Sequence, residues 1–176
     1  MKKTKRVLVV GGLHGDETSG IALVRQLQKD SLKQIQGLIA NRAAVGKRVR
    51  FLETDMNRSF GVEIPISLEE KIAAGLRKTI SANDVVIDVH NTRATGTTCA
   101  ITVCEPSELH LGLAHHFGFD RIVVMPPSGS LISVCPDRAI SLEIENNRRK
   151  EFSTGYLMAR LKTMGSERVG KEKIEV

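Results

Sequence analysis

The sequence predicts an α/β fold in a single domain spanning residues 1–165, and three observations lead there. The apolar run Val7-Leu8-Val9-Val10 passes into Gly11-Gly12 and then into a helical pattern, as a buried strand does when it hands over to a helix. Strand-like and helix-like runs alternate along the rest of the chain. With 176 residues, 41% hydrophobic and 26% charged, the chain is long enough for one core and short for two.

Residues 6–11 form the first strand, and residues 18–29 carry Ile21, Val24 and Leu27 at helical spacing. Ile35 to Ala40 reads as a second strand. Asn41 to Ile66 shows neither period and is dense in Arg, Asp, Glu and Asn, so it reads as a long loop, of the kind that is either functional or disordered. Ser67-Leu68-Glu69-Glu70 has the form of a capping box and opens a helix that runs to about Ile80. A third strand over 84–90 alternates so that Asp88 and His90 share a face, with His90 emerging at its end. Beyond it come a strand over 98–104, a helix over 106–118, a strand over 121–125 and the loop 126–130. A last strand over 139–145 closes the sheet, and residues 150–164 form the last helix. From 166 to 176 the charges alternate without a core face, which predicts a frayed tail.

Composition excludes several classes of function. The formal charge of +6 invites a nucleic-acid reading, but one Tyr, five Phe and no Trp leave little to stack on bases, and acids lie between the basic residues. A solvated basic surface that attracts anionic small molecules is the expected consequence, with no nucleic-acid partner. Cys99, Cys104 and Cys135 are odd in number and lack metal-knuckle spacing, so no disulfide framework is expected and the setting is a reducing one. The apolar stretch behind the basic residues 2–6 is cut short by Gly11, Gly12, His14, Asp16 and Glu17, unlike a signal peptide. Nothing approaches the roughly 18 apolar residues of a membrane span. A cytoplasmic protein without a membrane partner is the expectation.

Chemistry concentrates in the turn Gly11-Gly12-Leu13-His14-Gly15-Asp16-Glu17-Thr18-Ser19-Gly20. It is not the G-x-G-x-x-G register of dinucleotide folds, because histidine and acids stand where a pyrophosphate needs bare amides. His14 and Glu17, three residues apart with Gly15 between them, can converge on one ion and so form half of a zinc site. Catalytic zinc commonly takes two His and one Glu and keeps a position for water, and His90 at a strand end completes that count. A zinc hydrolase also needs a carboxylate base and a cation facing the developing oxyanion. The polar loop offers the cations Arg50 and Arg58, with Asn57 beside the latter, and the last strand offers Glu143 and Glu145 for the base. Asp55 and Asp88 fit as acceptors for the second N–H of metal-bound histidines. His110, His115 and His116 lie on a helix with no matching acid pattern, and Arg93 is either a pocket residue or a solvated one.

Four motifs, in order, carry a family resemblance: Gly12-Leu13-His14-Gly15-Asp16-Glu17, Asp55-Met56-Asn57-Arg58, Asp88-Val89-His90-Asn91-Thr92 and Leu142-Glu143-Ile144. Together they resemble the succinylglutamate desuccinylase/aspartoacylase family of the zinc carboxypeptidase superfamily, over about residues 7–147. The resemblance implies a zinc carboxypeptidase-like fold, a mixed and mostly parallel sheet flanked by helices. It also implies a zinc-dependent hydrolase that cleaves the amide bond of an anionic N-acyl amino acid, with one Zn2+ per chain.

By position, the resemblance makes His14, Glu17 and His90 the metal ligands and Glu143 the base that activates zinc-bound water. Arg50 then faces the scissile carbonyl, Asn57 and Arg58 hold a substrate carboxylate, and Asn91 and Thr92 line the substrate site. A guanidinium offers carboxylate the paired bonds that lysine cannot. Glu145 lies on the same face as Glu143 and is expected at the rim, beside an arginine near 148. Family members usually run longer, with a second, largely β domain over the site, so a more open pocket is expected here. Two other readings fit the same motifs: a zinc carboxypeptidase or amidase acting on small peptides, and a non-catalytic binding module on this fold.

Overall fold

A six-stranded mixed sheet with helices on both faces organises the chain, in the strand order β2-β1-β3-β6-β4-β5. The computed structural model describes residues 5–30, 32–93, 99–103, 106–119, 121–146 and 150–164. The strands are β1 (Val7–Gly11), β2 (Ile35–Ile39), β3 (Val85–Thr92), β4 (Cys99–Val103), β5 (Ile122–Met125) and β6 (Ala139–Glu145). The helices are α1 (Thr18–Asp30), α2 (Arg42–Lys47), α3 (Leu68–Ser81), α4 (Glu108–His116) and α5 (Thr154–Thr163). Strands β2, β1, β3 and β6 run parallel, β4 is antiparallel to β6, and β5 is parallel to β4. Among the described residues no helix is long and apolar enough to cross a membrane. The tail 166–176, expected to fray, lies outside the described residues, as do Arg148 and Arg149.

Strand β1 is buried on both faces, which is why it reads as an unbroken apolar run and not as an alternation. Its odd residues Val7 and Val9 join Ile87 and Val89 of β3 in a core roofed by α1, α4 and α5, through Val24, Leu113 and Leu157 among others. Leu8 and Val10 face the other way, into a core with Ala73 and Ile80 of α3, Met56, Phe60 and Leu131. Covered on both sides, the middle of the sheet holds its parallel strand ends in fixed register.

Two expectations need correction. The stretch 41–66 is not wholly irregular: it contains α2 and a 3-10 turn, Met56–Arg58. Asn41 caps α2 by accepting a hydrogen bond from the Ala44 amide, and Arg48 ends it in the left-handed conformation, φ 57°. Six residues are too few to show a helical period, so only the cap signals it. The last strand, β6, does not close the sheet at an edge but inserts between β3 and β4. The Ser67–Glu70 capping box at the start of α3 forms as the sequence indicates, with both reciprocal bonds present.

Candidate active site

The site lies where β1, β3 and β6 end, at the carboxyl edge of the parallel part of the sheet, the usual ligand position of open α/β sheets. After β1 the chain turns at Gly12 in the left-handed region, φ 71°. Gly15 lets this turn rest against α2, since a Cβ there would stand 2.1 Å from the Ala44 carbonyl carbon. The turn is tied down again by the Gly15 amide, which donates to the Arg50 carbonyl at 3.1 Å. His14 and Glu17 are thereby brought to the end of β3.

Glu17 is the hub. Its Oε1 lies 2.7 Å from His14 Nδ1 and its Oε2 2.8 Å from His90 Nδ1, so both imidazoles aim the same nitrogen at one carboxylate. The other nitrogens are backed by acids: His14 Nε2 is 2.9 Å from Asp55 Oδ1, and His90 Nε2 is 2.7 Å from Asp88 Oδ2. His14, Glu17 and His90 are 3%, 6% and 3% exposed. Candidate ligand atoms from the three all lie within 4.8 Å of one another, the one such group of histidines, cysteines and acids among the described residues.

The electrostatics reflect this crowding. Burial would raise the Glu17 pKa, but hydrogen bonds from His14 and His90 hold it far below the ordinary carboxylate range. For His90, burial pulls down and the Asp88 carboxylate, then Glu17, push up, leaving the pKa well above its ordinary value. His14 is raised by Glu17 and Asp55 against the same opposing burial. On both rings the neighbouring acids together outweigh burial. Two imidazole nitrogens and one carboxylate, with the far nitrogens oriented by acids, are a donor set that fits zinc.

Strand register places Glu143. His90 of β3 stands opposite Glu143 of β6 in the parallel ladder, and Thr92 stands opposite Glu145. Glu143 opens on the cleft, and burial, with help from Glu17 and Asp88 and against His90, raises its pKa. Glu145 does not sit at the rim as the sequence suggested: it is 6% exposed, and the cleft is not lined by it. The reason is the central place of β6, whose end stays in the ladder beside Thr92.

The remaining residues named from the sequence gather on the same cleft, about 610 Å³, lined by Arg50, Asn57, Arg58, Asn91 and Thr92 with the triad and Glu143. Arg50 is half exposed and reaches Glu17 Oε1 at 3.2 Å and Asp55 Oδ2 at 3.7 Å. Asn57 Oδ1 accepts from the Leu131 amide at 3.0 Å, which leaves its Nδ2 to donate. Arg58 is exposed and donates to the Asn57 carbonyl at 2.7 Å. The Asn91 amide group is engaged within the protein, with Ser19 and the Ile144 carbonyl, and its backbone N–H donates to Glu17 at 3.1 Å. These bonds pin α1 and Glu17 to β3 while Asn91 still lines the cleft.

Asp16, Arg93 and Asn146 also line the cleft. Asp16 stood in the motif beside the ligands, where nothing local separates a lining residue from a solvated one. Asn146 follows the last strand and carries no motif of its own.

The chain is similar in sequence and in fold to known proteins. Residues 3–128 match the model of the succinylglutamate desuccinylase/aspartoacylase catalytic domain, a span that includes the triad, Arg50, Asn57 and Arg58 and ends before Glu143. The chain is 30% identical over 135 residues to the N-acyl-aromatic-L-amino acid amidohydrolase (carboxylate-forming) of Rattus norvegicus, covering 65% of this chain and 42% of that protein. It is 33% identical over 111 residues to the aspartoacylase of Xenopus tropicalis, covering 52% and 36%. The chain thus spans less than half the length of these curated relatives. Among solved structures, the succinylglutamate desuccinylase of Chromobacterium violaceum superposes with a TM-score of 0.78 at 21% identity, over 93% of this chain and 64% of that one. Murine aminoacylase 3 gives 0.72 at 23%, over 94% and 67%. A family match that runs from ahead of β1 to the loop beyond β5 makes this chain a member of the succinylglutamate desuccinylase/aspartoacylase family.

Proposed function

We propose that the protein is a zinc-dependent hydrolase of anionic N-acyl amino acids, with His14, Glu17 and His90 holding one Zn2+ per chain. The observation that carries this reading is the register that sets Glu143 beside His90 while both histidines converge on Glu17. Zinc bound there would supply a Lewis acid and a water whose pKa falls towards about 7.

The chain's own groups supply the rest of the reaction. Glu143, a carboxylate in the cleft with a raised pKa, takes a proton from the attacking water and passes it to the leaving amine as the C–N bond breaks. The products are a carboxylate and a free amino acid. Arg50, already oriented by Glu17 and Asp55, presents guanidinium N–H groups to the oxygen that becomes negative. Arg58 and the Asn57 Nδ2 bind the substrate carboxylate, which fixes the acyl group relative to Glu143.

A panel of N-acyl amino acids and short peptides, given to zinc-loaded protein, tests the substrate class. Hydrolysis of the acyl amino acids supports the reading, and turnover confined to peptides would replace it with a peptidase. For Arg58→Ala the expected loss in kcat/KM is about 2–3 kcal/mol on substrates with a free carboxylate, the scale of a charge-assisted pair. Against an amidated analogue the loss should be small. Equal losses on both would make Arg58 a structural residue.

A further inference from the structure

Glu69 is a charged side chain with no exposure at all, and it does not line the cleft. Buried carboxylates are rare unless their oxygens are satisfied, and this one is satisfied by three successive amides of one segment and by Asn41. Its Oε1 accepts from the Leu52 amide at 2.7 Å and from Asn41 Nδ2 at 3.1 Å, and its Oε2 accepts from the Glu53 and Thr54 amides, both at 3.2 Å. Burial would raise its pKa, but these donors hold it below the ordinary value. The clasp is reciprocal: Glu53 Oε2 accepts from the Leu68 amide at 2.8 Å, and the Thr54 and Ser67 hydroxyls are 2.8 Å apart.

Arg50 lies just before the clasped residues and Asp55 just after them. Asp55 Oδ1 meets His14 and also accepts from the Asn57 amide at 2.9 Å, so it starts the turn that carries Asn57 and Arg58. Asn41, the other partner of Glu69, caps α2, on which the Gly15 turn rests. One carboxylate outside the cleft therefore joins α3, α2 and the segment that bears every cleft residue between 50 and 58.

We infer that Glu69 is a positioning residue, which through its bonds to the 52–54 amides holds Asp55 against His14 and Arg50 over the site. The inference rests on the proposed metal centre for its consequence, though not for the clasp itself. Glu69→Gln keeps the shape but turns an amide NH2 either towards the Glu53 and Thr54 N–H groups or towards that of Leu52, so at least one backbone donor loses its acceptor. Glu69→Asp keeps the charge and is the milder variant should the first not fold.

The test combines hydrogen exchange with zinc affinity. Amides of Leu52, Glu53 and Thr54 should exchange at least about tenfold faster in Glu69→Gln, while those of the α3 interior keep their protection. Glu69→Asp should fall between that variant and the wild type. Zinc affinity, measured by chelator competition, should weaken about tenfold in Glu69→Gln, the lower end of what lost support to a ligand costs. In an Asp55→Ala background the same substitution should weaken it less than about twofold, because the route through Asp55 is gone. A merely structural Glu69 would weaken zinc binding equally in both backgrounds, and that result overturns the inference. So does unchanged exchange at 52–54. If the wild type bound no zinc, the metal centre would fail on its own account, and exchange at 52–54 would still decide whether the clasp exists.

Discussion

Glu143→Gln is expected to leave zinc bound and to lower kcat between about a hundredfold and ten-thousandfold, the range for removal of a general base. Glutamine fills the same space and keeps a carbonyl oxygen for the weak bond from Ser141 Oγ at 3.4 Å, so folding and the neighbouring His90 should be little disturbed. What it cannot do is accept and return a proton. Glu145→Gln serves as the comparison, since Glu145 lies two residues on, buried and away from the cleft lining. Its effect on kcat should stay below about tenfold. Paired kinetics with metal content on both variants separates the roles: a reversed order of losses would move the base to Glu145.

His90→Ala should remove the metal and with it all measurable turnover. The residue meets Glu17 through one nitrogen and Asp88 through the other, so its loss strips a ligand, leaves buried Asp88 without its imidazole and leaves Glu17 with only that of His14. Asp88 is 1% exposed, and its Oδ1 already has no hydrogen-bond partner. Breaking buried charged pairs by deleting one member costs about 3–5 kcal/mol, so the variant should also melt at a lower temperature than the metal-free wild type. His115→Ala, on the exposed side of α4, should keep its zinc. Elemental analysis and thermal melts of the two variants check both statements. Undiminished zinc in His90→Ala would remove His90 from the ligand set.

Much of this site is local in sequence, and so it was legible there. The turn from Gly11 to Gly20, the Ser67–Glu70 cap and the alternation of Asp88 with His90 each depend on neighbours a few residues apart. The pairing of Asp55 with His14 and of Asp88 with His90 follows a rule about metal-bound imidazoles, which chemistry alone suggests.

Other features depend on partners remote in the chain. The place of β6 between β3 and β4 is set by pairings across dozens of residues, and no local pattern in 139–145 distinguishes a central strand from an edge one. The burial of Glu145 follows from that placement. Glu69 read only as one acid of a helix start, because its acceptor role requires knowing that 52–54 folds back onto α3. Asn91 lines the cleft, as its motif suggests, and the bonds its amide makes inside the protein become visible only once α1 and β6 lie beside β3.

The most direct test of the central claim is anomalous diffraction at the zinc edge from crystals of the zinc-loaded protein. The account predicts one strong peak per chain, about 2.0–2.2 Å from His14 Nδ1, His90 Nδ1 and a Glu17 oxygen. A peak elsewhere in the chain, or none within the His14–Glu17–His90 group at full zinc loading, would contradict it.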